Sequence, residues 1–259
     1  MDVSLAGRTA VITGGSKGIG LAIAARFAAS GADVAIVARG REALDDAVKA
    51  IRANGRRVVG IQGDVALAAD VKRAYDEAMK ALGKIDILVN NAGTSATGSF
   101  EKLTDEFLQQ DLDQKLFAAI RLTRLVWPQM KERRWGRIIN VLNIGAKAPR
   151  AGGAPTAVSR AAGMALTKIL AGEYAQHNVL VNALLVGQIV SDQWVRRHAN
   201  QGANIPFEEF TAKQGANIPL GRMGTAEEFA NIACFLASDQ AGFITGTATN
   251  VDGGLSPVV

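Results

Sequence analysis

Apolar positions along the 259-residue chain fall into two alternating patterns. Short β-rich runs lie at 9–13, 34–38, 58–61, 85–90, 137–142, 180–186 and 247–251. Between them, apolar residues recur at helical spacing over 19–30, 41–54, 68–82, 104–133, 155–176 and 226–237. Strands that are apolar on both sides, separated by helices of this length, predict a parallel sheet covered on both faces. Right-handed crossovers make that sheet doubly wound, an α/β architecture whose ligands bind at the carboxyl ends of the strands. Local signals support the helix ends. Thr225-Ala226-Glu227-Glu228 reads as a capping box, and Gly31 and Gly55 stand where helices should stop. One stretch breaks the rhythm. Residues 191–219 are polar and carry Gln-Gly-Ala-Asn-Ile-Pro twice, at 201–206 and 214–219. The segment predicts a helical excursion over the ligand crevice, a candidate lid in an otherwise single domain of residues 1–259. Two short copies do not make a repeat array.

The first strand runs into Thr13-Gly14-Gly15-Ser16-Lys17-Gly18-Ile19-Gly20, and a helical pattern follows at once. Strand, glycine turn and helix start in that order form a cradle for a dinucleotide pyrophosphate. Gly14 allows the tight turn, Gly18 lets backbone approach the phosphates and Gly20 lets helix pack on strand. The free amides of the helix start, with Ser16, Lys17 and Ile19 in the same turn, face the anion.

Composition narrows the class. With 48% hydrophobic residues the chain can bury a full core. No apolar run approaches the ~18 residues of a membrane span, and no charged-then-apolar leader opens the sequence. Cys234 is the only cysteine and sits in an apolar run, so it reads as a buried structural thiol. Without an internal disulfide the expected compartment is the reducing cytoplasm. The net charge of +5 is scattered, with no basic, aromatic-interleaved face for nucleic acid. No metal-ligand cluster stands out, so no metal is expected.

Beyond the glycine turn, several motifs recur in one known family. They are Asp64-Val65, Asn90-Asn91-Ala92-Gly93, Gly136-Arg137-Ile138-Ile139-Asn140, Val181-Asn182-Ala183, Gly187-Gln188-Ile189 and Val251-Asp252-Gly253-Gly254. With them the chain resembles the short-chain dehydrogenase/reductases over nearly its whole length. The resemblance implies a Rossmann-type domain of seven parallel strands with helices on both faces, a nicotinamide dinucleotide and a homotetramer. It implies that Asp64 and Val65 flank the adenine, that Asn91, Ala92 and Gly93 line the ribose side, and that Gly187 and Ile189 meet the nicotinamide. The end of the second strand carries Ala38-Arg39 in place of an acid, and Lys17 stands in the turn. Two cations and no carboxylate favour the 2′-phosphate of NADP(H), with NAD(H) the alternative.

The family's catalytic set does not match. Its serine place holds Asn143, its tyrosine place Thr156, its lysine place Arg160 and its helical asparagine place Lys115. A phenol with a pKa near 10 can be drawn toward neutrality by a cation, whereas a threonine hydroxyl only hydrogen-bonds. Arginine stays protonated, so Arg160 holds ribose hydroxyls without relaying a proton. Asn143 can donate to an oxyanion, and Lys115 adds a charge that suits an anionic small-molecule substrate unless it pairs with Asp111 or Asp113. Tyr75, Tyr174 and His177 lie on helices away from the site, and His198 lies in the lid. Three readings stay open: an NADP(H)-dependent oxidoreductase acting on a carbonyl or alcohol through altered residues, a catalytically impaired dinucleotide-binding protein, and a structural subunit pairing through the 104–133 and 155–176 helices.

Overall fold

The computed structural model describes residues 3–52, 55–201 and 204–259. Seven strands form one parallel sheet: β1 Thr9–Thr13, β2 Asp33–Ala38, β3 Val58–Gln62, β4 Ile87–Asn90, β5 Gly136–Asn143, β6 Val179–Val186 and β7 Ala248–Val251. Their order is β3-β2-β1-β4-β5-β6-β7, so the chain reverses its winding between β1 and β4. The crevice of a doubly wound sheet opens at that reversal.

Side chains alternate across the sheet, and the two sets fill different cores. Ala10 and Ile12 of β1, Ile87 and Val89 of β4 and Ile139 of β5 pack with Phe27 and Phe229. Those phenylalanines belong to α1 Gly18–Ala29 and α9 Ala226–Ala237, and α2 Arg41–Arg52 joins them through Leu44 and Ile51. Val11, Leu88 and Ile138 point the other way. They meet α3 Ala68–Leu82, α5 Ala118–Arg133 and α6 Thr156–Tyr174. Burying each such side chain stabilises the fold by about 1.5–3 kcal/mol, which explains why the strands are apolar on both faces.

The local signals hold. Thr225 Oγ1 accepts from the Glu228 amide at 3.1 Å while a Glu228 carboxylate oxygen accepts from the Thr225 amide at 2.9 Å. Gly31 and Gly55 both take positive φ at helix ends. Cys234 is buried beside Ser30 Oγ. The expected continuation of the second helix to residue 54 lies outside the described residues.

Several element ends shift by a residue or two, and three of the differences are these. The fourth strand begins at Ile87 rather than 85, because Asp86 uses its carboxylate to accept from the Thr9 amide and to pair with Lys84 and Arg133. The last begins at Ala248 rather than 247. The expected 104–133 helix is α4 Asp105–Leu112, a π turn Asp113–Phe117, and then α5. Such a turn inserts one extra residue into the helical register and often marks a functional site.

Residues 191–219 form α7 Asp192–Gln201 and α8 Phe207–Gly215. Trp194, His198, Phe207 and Phe210 pack into one aromatic cluster between them. His198 Nε2 lies 2.7 Å from the Ile205 carbonyl. The repeated hexapeptide has a local use: Gln201 ends α7 and Gly215 ends α8, and each copy runs on to a proline. Residues 202 and 203 of the first copy lie outside the described residues.

Candidate active site

A crevice of about 1040 Å³ opens at the carboxyl ends of the strands. Its floor is the glycine turn. Gly14 and Gly18 have φ of 67° and 54°, a region that side chains rarely adopt. A Cβ on Gly20 would collide with the Gly14 carbonyl and with Asn91 Nδ2. Asn91 in turn donates to the Thr13 carbonyl at 2.9 Å, and the Asn91 and Ala92 amides both donate to Thr13 Oγ1 at 3.0 Å. These bonds tie the end of β4 to the turn after β1. Helix α1 starts at Gly18 with no side-chain cap, so its first amides are left for a ligand in the crevice. Lys17 and Arg39 stand at the same end with side chains 57% and 64% exposed. Cradle, open amides and cations together fit a dinucleotide with an extra phosphate.

The structure gathers most of the expected residues. Gly14, Lys17, Gly18, Ile19, Gly20, Arg39, Asn91, Ala92, Gly93, Asn143, Thr156, Arg160, Gly187 and Ile189 all line the crevice. Four do not. Ser16 is half-buried and does not line the crevice. Val65 packs in the core beside α3. Asp64 lies in a neighbouring depression, where Arg39 approaches it at 3.8 Å. Lys115 is the fourth, and of the two alternatives left open for it the structure takes the pair with Asp111. Its side chain is 1% exposed and is ion-paired with Asp111 one turn back, so it is not a free cation for a substrate anion.

Lys115 nevertheless reaches the crevice wall through one atom. Its Nζ donates to Thr156 Oγ1 at 2.8 Å, and the Ala96 amide donates to the same oxygen at 2.9 Å. Asp111 Oδ2 accepts from Ser159 Oγ at 2.6 Å. The π turn and the start of α6 thus share a buried network, Asp111–Lys115–Thr156 with Ser159. Burial pulls the Lys115 ammonium down to about 8, the Asp111 partner opposes that shift, and the Arg160 charge adds to it. Arg160, also buried, donates from Nη1 to the Val141 carbonyl at 2.9 Å and is held down to about 10 by desolvation. Gly93 has no side chain because a Cβ there would sit 2.9 Å from Arg160 Nη2.

Polar atoms without partners mark the inner end. Asn143 Oδ1, Arg160 Nε and Gln188 Oε1 are buried and unpaired, and their residues line the crevice. Buried polar atoms are rarely left so, and three in one wall point to a ligand that satisfies them. The wall carries six cations, Lys17, Arg39, Arg150, Arg160, Arg196 and Arg197, against the single acid Asp192 among its described residues. Asp192 pairs with Lys17 and Arg196. Arg197 stacks over Trp194 at 4.6 Å on α7. Phe207 packs inside the α7–α8 pair and away from the crevice. Tyr174 stacks on Trp127 at 3.5 Å, and neither it nor Tyr75 lines the wall.

A protein-family model described as enoyl-(acyl carrier protein) reductase matches residues 14–256. The chain is 35% identical to an acetoacetyl-CoA reductase of Shinella zoogloeoides, over 95% of this chain and 98% of the relative. The chain belongs to the short-chain dehydrogenase/reductase family. L-Sorbose reductase from Gluconobacter frateurii, solved with NADPH and L-sorbose, matches with a TM-score of 0.94 and 34% identity over the whole of both chains. An NADPH-bound short chain oxidoreductase from Pseudomonas aeruginosa PAO1, described as containing an atypical catalytic center, matches at 0.91 and 36% over 99% of each. This short-chain dehydrogenase/reductase is accordingly an NAD(P)-dependent oxidoreductase. No helix among its described residues is long and apolar enough to cross a membrane.

Sequence reasoning missed two members of the site. Asp111 was legible only as an i,i+4 partner for Lys115. Ser159 carried no signal, because its role depends on α6 packing against α4.

Proposed function

We propose that the protein is an NADP(H)-dependent carbonyl reductase in which a lysine-polarised threonine hydroxyl takes the place of the family's phenol. One observation carries this reading: Thr156 Oγ1, on the crevice wall, accepts from both Lys115 Nζ and the Ala96 amide. Its two lone pairs are then occupied, and its own proton is what it has left to offer. A threonine hydroxyl alone is no more acidic than the alcohol being made. The Lys115 ammonium is far more acidic, and burial makes it more so. A proton leaving Thr156 Oγ1 toward a carbonyl oxygen is replaced from Lys115 Nζ, so the lysine is the net donor.

The remaining residues bind and orient. The α1 amides, Lys17 and Arg39 hold the phosphates, and NADP(H) is preferred because cations replace the acid after β2. Asp64 and Val65 flank the adenine, Asn91, Ala92 and Gly93 the adenosine ribose, and Gly187 and Ile189 the nicotinamide, as the family resemblance implies. When bound, the reduced dinucleotide supplies the hydride. Arg160, with Nε unspent, holds ribose hydroxyls, and the Asn143 side-chain NH2 donates to the developing oxyanion. The case for an anionic substrate now rests on Arg150 and Arg197 in place of Lys115. Helices α7 and α8 act as the lid. Exposed Phe107, Phe117, Val158 and Ile169 on α4–α6 and the π turn support the homotetramer that the family implies.

A screen of aldehydes, ketones and keto acids with NADPH should find turnover that collapses in Lys115→Ala. A second reading, cofactor binding without turnover, is favoured by the seal around Lys115, since a donor that is 1% exposed needs a path to regain its proton. Tight NADPH binding with no turnover across the panel would select it.

A further inference from the structure

We propose that Asp111 is a positioning residue that keeps Lys115 protonated and aimed at Thr156 Oγ1. This rests on the reading of Lys115 as the proton source. The carboxylate is itself almost fully buried, and both of its oxygens are committed. Oδ1 takes the Lys115 ammonium and Oδ2 takes the Ser159 hydroxyl at 2.6 Å. Ser159 Oγ lies 3.1 Å from the Thr156 carbonyl, so the acid is anchored to the same turn of α6 that carries Thr156. The four groups form a closed circuit across three elements: Asp111 on α4, Lys115 on the π turn, and Thr156 and Ser159 on α6.

The charges facing Lys115 explain why the circuit needs an acid. From its own helix the neighbour is Asp111. From α6 it is Arg160, a like charge, and the loop at Gly93 contributes none. A buried lysine beside an arginine tends to lose its proton, and a neutral amine cannot resupply Thr156. Asp111 opposes both effects. The π turn contributes the geometry. Asp113, two residues on, is turned to Arg121 and Gln109 instead, so only one of the two nearby acids reaches the lysine.

Lysine side-chain NMR of the cofactor-free protein, with the Lys115 signal assigned by its loss in Lys115→Ala, tests this without turnover. In Asp111→Asn the Lys115 titration should fall by roughly one to three pH units, and the alkaline limb of kcat/KM should move down with it. Ser159→Ala, which leaves the charge in place, should shift both by less. Asp111→Glu, which keeps the charge but displaces it, should lower kcat by about ten- to a hundredfold with the KM for NADPH unchanged. This second variant serves where Asp111→Asn fails to fold. An unmoved Lys115 titration in folded Asp111→Asn, or wild-type kcat in Asp111→Glu, overturns the proposal. Full activity in Lys115→Ala alongside the expected titration shift overturns only the catalytic reading, and leaves Asp111 as the group that sets the lysine's charge.

Discussion

Replacing Thr156 by valine removes one oxygen and almost no volume, which makes it the sharpest test of the site. That oxygen accepts from the Ala96 amide at 2.9 Å and from Lys115 Nζ at 2.8 Å, and Thr156 is 3% exposed. Water cannot easily replace it. A buried donor left unpaired costs about 1–3 kcal/mol, and more when charged. Lys115 keeps Asp111, which softens its share, so the total loss is about 3 kcal/mol. At roughly 2–4 °C per kcal/mol for a chain of this length, calorimetry should show a fall of roughly 6–12 °C. Reduction, followed by NADPH consumption, should slow by about 10²–10⁴, the usual range for a lost general acid. Affinity for NADPH, measured by fluorescence, should hold, because no bond to the phosphate cradle is touched. Thr156→Ser keeps the oxygen and should retain most of both properties. If Thr156→Val matches wild type in kcat, the hydroxyl is not the proton relay. If its melting temperature is also unmoved, the Lys115–Thr156–Ala96 bonds do not exist in solution.

Arg39→Ala should weaken NADPH binding by about 10–100-fold, the value of one or two charge-assisted bonds, and barely affect NADH; equal losses for the two would dismiss the 2′-phosphate reading. Gly20→Ala places a Cβ against the Gly14 carbonyl and Asn91, so dinucleotide uptake by titration calorimetry should vanish while circular dichroism shows a folded protein. With Lys115 near 8, the rate of carbonyl reduction should be full below that pH and fall above it, and a pH-rate profile flat through pH 9, roughly a unit higher, would remove Lys115 from the mechanism. Arg222 and the Thr225 amide hold Glu228 down to about 2 from its ordinary 4.5. A depressed acid stabilises the fold above its unfolded value and loses that contribution as pH falls through 4.5 toward 2. Glu228→Gln should therefore flatten the acid-unfolding curve over that window, and an unchanged curve would show that the Glu228 charge contributes nothing.

Much of the frame was readable because each signal was local. Strands such as 34–38 and 180–186 are apolar throughout since both of their faces are buried. The glycine turn declared itself because only glycine tolerates the backbone at 14 and 18 and the close approach at 20. The family resemblance, with the spacing from Asn143, put Thr156 and Arg160 at the places of the family's tyrosine and lysine. What the sequence left open was which of several nearby partners a side chain takes once the elements pack. Lys115 was open to a substrate anion or to a pair with Asp111 or Asp113, and the structure places it in a buried pair with Asp111.

Sequence alone determined the alternation of strands and helices and the phosphate cradle. Those follow from side-chain chemistry and period, which act over a few residues. Tertiary structure alone decided which lone pairs of Thr156 are filled, that Asp111 rather than Asp113 neutralises Lys115, and which buried atoms stay unpaired. Those depend on distances of a few ångströms between α4, the π turn and α6, and packing sets such distances where sequence separation does not.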